Sequence, residues 1–269
     1  MKQTQGRMAQ KYALITGGNS GIGAATARLF AQEGAAGIAL LDLEKPGQDF
    51  YALARELTDL GTQAFALPCD VTESAQVKRA VDAAAERFGR LDVSVHCAGV
   101  LDFNASVLRT SDELWETTVA INQNGVFYCC REVLRHMEKQ GCGSIINVSS
   151  VAGISGNSGA AYSSSKHAVV SLSKNIAIQY TGTGIRCNTI CPGPTTTPMT
   201  EVKPENAAED DLPNDPRFDR EFTHICQRHA DGSIGFLTPE DQANAILFFA
   251  SDESKAITGQ WLLVDKGFY

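Results

Sequence analysis

The chain has no cluster of lysines or arginines, no long apolar run, no C-x-x-C pair and no internal repeat. Each absence closes off a class of function. Against 31 acidic residues stand 23 lysines and arginines, a formal net charge of −8. Nucleic-acid binders usually show the opposite, a basic patch or stripe, so no nucleic-acid partner is expected. The acidic surplus also disfavours an acidic carrier protein, since like charges repel on approach. Without a run of 18 apolar residues no membrane-spanning helix is expected. The opening MKQTQGRMAQK lacks the apolar core of a signal peptide, and the expected location is cytoplasmic. The eight cysteines are scattered: Cys69, Cys97, Cys187 and Cys191 sit in or beside apolar runs, and Cys129 and Cys130 are adjacent. Lacking paired ligand spacing, they read as small buried hydrophobes, and no metal is expected.

What is present is ordinary in amount and regular in order. Of 269 residues 43% are apolar and 20% charged, as in a soluble globular enzyme. Short apolar runs fall at 12–16, 37–42, 64–68, 91–98, 144–149, 185–190 and 261–265, separated by helix-length stretches. Several runs are apolar nearly throughout, as burial on both sheet faces requires. The repetition predicts an α/β fold: a Rossmann-like, doubly wound parallel sheet of about seven strands with helices on both faces. Residues 1–269 read as one dinucleotide-binding oxidoreductase domain, with 1–10 as a flexible extension. The acid-rich, proline-bearing stretch 198–235 breaks the rhythm and reads as a substrate-binding loop or lid. Thr238-Pro239-Glu240-Asp241 then reads as the start of the last long helix.

TGGNSGIG follows the first strand and runs straight into a helix. Gly17, Gly21 and Gly23 permit a tight turn and let backbone N–H groups approach a pyrophosphate at the helix N-terminus. The second strand ends in Asp42, about 20 residues on, where a carboxylate accepts hydrogen bonds from an adenosine ribose and repels a 2′-phosphate. The expected cofactor is therefore NAD, with NADP the less favoured.

Tyr162 and Lys166 lie four positions apart, on one face of a helix running to about Tyr180. A phenol near pKa 10 is a poor acid–base catalyst at neutral pH unless a neighbouring ammonium stabilises the phenolate. SIINVS delivers Ser149 and Ser150 to a strand's C-terminal end, where open α/β sheets place their ligands.

With these motifs in order, the chain resembles the short-chain dehydrogenase/reductase family over nearly its whole length. TGGNSGIG, with Asn19, Ser20 and Ile22 among its glycines, resembles the family's cofactor turn. Cys69-Asp70-Val71 resembles the adenine site after the third strand, and HCAG at 96–99 corresponds to the family's N-N-A-G. INQNG carries the helix asparagine, here Asn122; CPGPTTTPM at 191–199 resembles the nicotinamide-side segment. The resemblance implies roles. Tyr162 would be the general acid/base, Lys166 would bind the nicotinamide ribose and depress the tyrosine pKa, and Asn122 would hold a water behind Lys166. Asp70, Val71, Cys97, Ala98, Gly99, Pro192, Gly193, Thr195 and Thr197 would join the cofactor site, the two threonines at the carboxamide. The implied chemistry is reversible hydride transfer between a secondary alcohol or ketone and nicotinamide, in a homotetramer or homodimer.

Three positions depart from the family pattern. His96 and Cys97 replace both asparagines of N-N-A-G, and a packing role is expected for His96. Ser149 lies 13 residues before Tyr162 and Ser150 lies 12; adjacent strand residues face opposite ways, so one alone can serve. S-S-V-A-G favours Ser150, with one residue deleted near Gly159. Thr195 stands where the family commonly has an aliphatic residue. Phe218, Phe222, Ile225 and Phe236, with the tail Gly267-Phe268-Tyr269, suggest an apolar substrate pocket. A hydroxysteroid or bile-acid-like alcohol is the specific expectation; polyols, small cyclic alcohols and 3-oxoacyl thioesters are alternatives. A catalytically inactive nucleotide-sensing scaffold would lack the tyrosine, lysine or glycines, all of which are present.

Overall fold

The computed structural model describes residues 6–200, 219–227 and 233–269. Seven parallel strands form one sheet in the order β3-β2-β1-β4-β5-β6-β7: β1 Tyr12–Thr16, β2 Gly37–Asp42, β3 Gln63–Pro68, β4 Val93–His96, β5 Gly143–Val148, β6 Ile185–Pro192 and β7 Trp261–Val264. The helices are α1 Gly21–Gln32, α2 Ala52–Asp59, α3 Ser74–Phe88, α4 Asp112–Val119, α5 Val126–Gln140, α6 Ala160–Gln179, α7 Arg220–Gln227 and α8 Pro239–Ala250. Strand order reverses between β1 and β4, which opens a crevice at the strands' C-terminal ends.

The apolar runs form strands because the sheet is covered on both sides. Along β2, Ile38 and Leu40 join one core with Phe30, Leu57 and Ile246; Ala39 and Leu41 join the other with Val77, Val81 and Met137. On β5, Ile146 and Val148 enter the first core and Ile145 the second. This period-two alternation between two dry layers is what an all-parallel sheet demands.

At 6–10 the structure corrects the expectation of a flexible extension. Met8 is fully buried in the first core, its N–H donates to Glu33 O at 3.0 Å, and Ala9 bridges to Ala35. A single large apolar side chain docks the segment beside α1; residues 1–5 lie outside the described residues. Helix α8 begins as its sequence suggests. Thr238 Oγ1 accepts from Asp241 N at 3.3 Å and Asp241 Oδ2 accepts from Thr238 N at 2.8 Å, a reciprocal capping box with Pro239 in the first turn. No helix among the described residues is long and apolar enough to cross a membrane.

Candidate active site

A cavity of about 870 Å³ lies over the switch point. Every strand from β1 to β6 contributes the residues at or just past its C-terminal end: Gly17, Asp42, Asp70, Cys97, Ser150 and Gly193 all line it. One end is built from backbone and short side chains. Gly17 and Gly21 adopt φ of +62° and +50°, the left-handed region that favours glycine. A Cβ on Gly17 would lie 2.8 Å from Ala98 N, and one on Gly23 would lie 2.1 Å from Gly17 O. Ser20 occupies the N-cap of α1 without a side-chain hydrogen bond to it, so its hydroxyl does not satisfy the first-turn N–H groups. Such a cradle fits a pyrophosphate. Asp42 is held beside it, accepting from Asn19 N at 2.9 Å and from Leu43 N at 2.8 Å.

At the middle of the cavity Ser150, Tyr162 and Lys166 come together. Ser150 caps the short turn after β5, its hydroxyl accepting from Ala152 N at 3.1 Å, and it stands near enough to the Tyr162 phenol to oppose a rise in its pKa. Ser149 also lines the cavity, and its hydroxyl donates to Lys166 O at 2.8 Å. Lys166 is buried; its Nζ donates to Val148 O at 3.0 Å and lies over the Tyr162 ring, 5.6 Å from the centroid. Burial lowers this ammonium to about 8, opposed by Cys97 and Cys191.

A family model described as enoyl-(acyl carrier protein) reductase matches residues 17–269. The chain is 38% identical to 3beta-hydroxysteroid dehydrogenase of Mediterraneibacter gnavus, covering 98% of this chain and 96% of that protein. It is 40% identical to 3-oxoacyl-(acyl-carrier-protein) reductase of Thermotoga maritima, over 97% and 98% of the two. Among solved structures, NADPH-dependent 3-quinuclidinone reductase from Rhodotorula rubra superposes with a TM-score of 0.82 at 31% identity, covering 97% of this chain and 92% of that one. The chain belongs to the short-chain dehydrogenase/reductase family. It is an oxidoreductase acting on alcohol or ketone groups with a nicotinamide cofactor.

In this short-chain dehydrogenase/reductase Tyr162 and Lys166 line one cavity. Burial pushes the Tyr162 phenol up to about 12; the Ser150 hydroxyl opposes the rise and the Asp102 charge adds to it. The Lys166 ammonium is engaged by Val148 O and lies over the Tyr162 ring. Two of the expected site residues are not in the cavity lining. Asn19 stands off the cavity wall, its side-chain amide donating to Phe50 O at 3.1 Å. Asn122 also lies behind the wall, fully buried in a π-helical turn, Ala120–Gly125, that joins α4 to α5. Its Oδ1 accepts from Val100 N at 2.8 Å and its Nδ2 donates to Val100 O at 2.9 Å. A Cβ on Gly99 would lie 3.1 Å from Asn122 Oδ1 and 3.4 Å from Lys166 Nζ, so the two side chains meet at that glycine. π-helical turns of this kind are frequent at functional sites, and nothing in INQNG announced one.

The other predicted residues line the cavity: Ile22, Val71, Ala98, Pro192, Thr195 and Thr197 among them. The Thr195 hydroxyl is used internally, donating to Gly193 O at 2.9 Å and accepting from Gln242 at 3.2 Å. Thr200, missed in the sequence, ties that segment together by donating to Thr195 O and accepting from Thr197 N. His96 is a packing residue, as expected. It is fully buried between Ser94 Oγ at 2.8 Å and Asn147 Oδ1 at 2.7 Å, and burial lowers it to about 4. Of the four aromatic and aliphatic residues expected to line the pocket, Phe236 does so, Phe222 lines a neighbouring groove, Ile225 is exposed, and Phe218 lies outside the described residues. Of the 198–235 excursion, 201–218 and 228–232 lie outside the described residues. Its described helix α7 turns Thr223, Cys226 and Gln227 into the cavity, and the tail adds Phe268.

Proposed function

We propose that this protein is an NAD(H)-dependent dehydrogenase interconverting a secondary alcohol and its ketone on an uncharged, largely apolar ring system, a hydroxysteroid being the best match. The observation that carries the cofactor reading is Asp42. Its carboxylate is anchored by two backbone N–H groups at the cavity wall, where it would accept hydrogen bonds from a ribose diol and repel a 2′-phosphate. Lys45 lines the same end and is the feature that favours NADP. The test is kcat/KM with each nucleotide: NAD preferred by more than about tenfold, and Asp42→Ala narrowing the gap by roughly 1–2 orders of magnitude. A wild-type preference for NADP overturns the cofactor reading.

Bound nicotinamide supplies the hydride acceptor or donor. The chain's part is geometry and the proton. Ser150 and Tyr162 present two neighbouring hydroxyls, and both hold the substrate oxygen; Tyr162 takes its proton during oxidation and returns it during reduction. Lys166, fixed by Val148 O, places a cation beside the ribose end of the site. Asn122 orders the backbone at Val100 and closes the space behind Lys166.

The substrate reading rests on the far end of the cavity. There Leu101, Val151, Met199, Phe236 and Phe268 stand with neutral Asn157, and among the described residues the carboxylates and the second lysine of the lining all lie at the nucleotide end. An apolar, uncharged lining suits a steroid nucleus better than a phosphorylated thioester. The relationship to a 3beta-hydroxysteroid dehydrogenase supports the same reading. A panel of neutral hydroxysteroids, bile acids, polyols, cyclic alcohols and 3-oxoacyl thioesters, followed by NADH formation or consumption, should rank the steroids first in kcat/KM. A polyol or thioester in first place would sink it. The homotetramer implied by the family would cover the sheet edge at β7, where Trp261 and Leu262 are exposed.

A further inference from the structure

Asp102 is a fully buried carboxylate that the chemistry above does not use. It stands at the first residue of a turn, Ala105 N donating back to Asp102 O at 3.1 Å, whose two middle residues, Phe103 and Asn104, adopt φ of +57° and +54°. Positive φ at a phenylalanine is unusual and is retained where the surroundings impose it. The turn is held against the start of the catalytic helix by Ala160 N donating to Ala105 O at 2.9 Å and by Ser158 Oγ donating to Asn104 Oδ1 at 3.0 Å. The result brings Asp102 under the N-terminus of α6, where its Oδ2 accepts from the backbone N–H of Tyr162 at 2.8 Å. The N-cap of α6 is Gly159, which has no side chain to offer, and a Cβ there would fall 2.0 Å from Asp102 Oδ1. The cap of this helix therefore comes from a distant loop, and Gly159 is the space it occupies. Oδ1 has no hydrogen-bond partner.

We infer that Asp102 is a positioning residue for Tyr162, capping the catalytic helix in trans and setting, by its charge, the pH at which the phenol works. This rests on Tyr162 as the acid/base. An anion at a helix N-terminus is stabilised by the helix dipole, and an anion near a phenol holds its proton on. Burial is the larger influence on Asp102 itself, pushing its carboxyl up, with neighbouring backbone N–H groups opposing. Other titratable groups share the cavity with Tyr162: Lys166 on its own helix, Cys97 past β4 and Cys226 on α7; Asp42, Lys45 and Asp70 stand at the nucleotide end. Burial raises both thiols, Cys97 to about 12, so they keep their protons through the neutral range, whereas Lys166 at about 8 titrates within it. The comparison is accordingly variant against wild type.

Asp102→Asn preserves an acceptor for Tyr162 N and removes the charge. In alcohol oxidation, which needs the deprotonated phenol, the rise of kcat with pH should move to lower pH by roughly half a unit, with little change in Kd for NADH. Asp102→Ala removes the cap as well, and kcat should fall by about tenfold. The double variant Asp102→Ala/Gly159→Ser puts a cap back on the helix's own chain; it should restore Tm and much of kcat while keeping the shifted profile. Profiles of Asp102→Asn and the double variant that superimpose on wild type would overturn the inference and leave Asp102 a structural cap. Tyr162→Phe is the separate control: if it retains turnover, the reading of the site fails, whatever Asp102 does.

Discussion

The two ends of the cavity are built differently. The nucleotide end hangs on the ends of β1, β2 and β3 and on the first turn of α1, with glycines so tightly packed that a methyl group has nowhere to go. The substrate end is made by pieces that cross over the sheet: the loop around Leu101 and Asn104, helix α7, and single side chains such as Met199, Phe236 and Phe268. Helix α7 is held by its own latch, Asp219 accepting from Ser106 Oγ at 2.5 Å and pairing with Arg109 at 3.3 Å. On the proposed reading, one end would fix a constant partner through backbone geometry and the other presents replaceable side chains. That division is how one scaffold keeps a cofactor while its substrates vary.

The contrast can be broken most directly at Gly23. Gly23→Ala places a Cβ 2.1 Å from Gly17 O and 3.1 Å from Gly18 Cα, both backbone, so the turn itself must move. The expected result is a Kd for NADH weakened more than tenfold and a loss of about 1–3 kcal/mol of stability, read by fluorescence titration and thermal melting. An alanine variant with native affinity would mean the cradle is not the cofactor site. At the centre, Ser150→Ala should lower kcat by roughly 10²-fold. Ser149→Ala should instead lower Tm by about 1 kcal/mol worth of a lost buried hydrogen bond, with kcat nearly unchanged. Equal losses in kcat would return the choice between the two serines to where their spacing alone leaves it. The smallest effect belongs to the substrate end. Phe236→Ala should raise KM for bulky alcohols by a few-fold and leave small alcohols and NADH untouched; a uniform loss across substrates would erase the distinction between the ends.

Much of this was legible in residue order. The strands were visible because parallel strands covered on both faces must be apolar throughout, and β1 and β2 fall on the expected runs. The glycine turn, Asp42 and the Tyr162–Lys166 spacing were visible because their chemistry is local: a turn, a strand end, one helix face. What was hidden depends on residues far apart in the chain. Nothing near Met8 shows that it will fill a gap beside α1, and nothing near Asn19 shows that Phe50 O will take its amide. Nothing near Lys166 shows that Val148, 18 positions earlier, will present its carbonyl to the ammonium.

By itself, then, the sequence determined the layer architecture, the glycine turn and the one-face spacing of Tyr162 and Lys166, since each follows from period, turn chemistry or helical spacing over a few residues. Only the tertiary structure decided that Ser149 bonds Lys166 O while Ser150 caps the turn after β5, where Asn122 and Thr195 spend their hydrogen bonds, and that Asp102 stands under helix α6 60 positions before Tyr162. The physical reason is the same in each case. A buried polar group must find its partner wherever the packed chain brings one, and that partner is fixed by the fold rather than by neighbours in sequence.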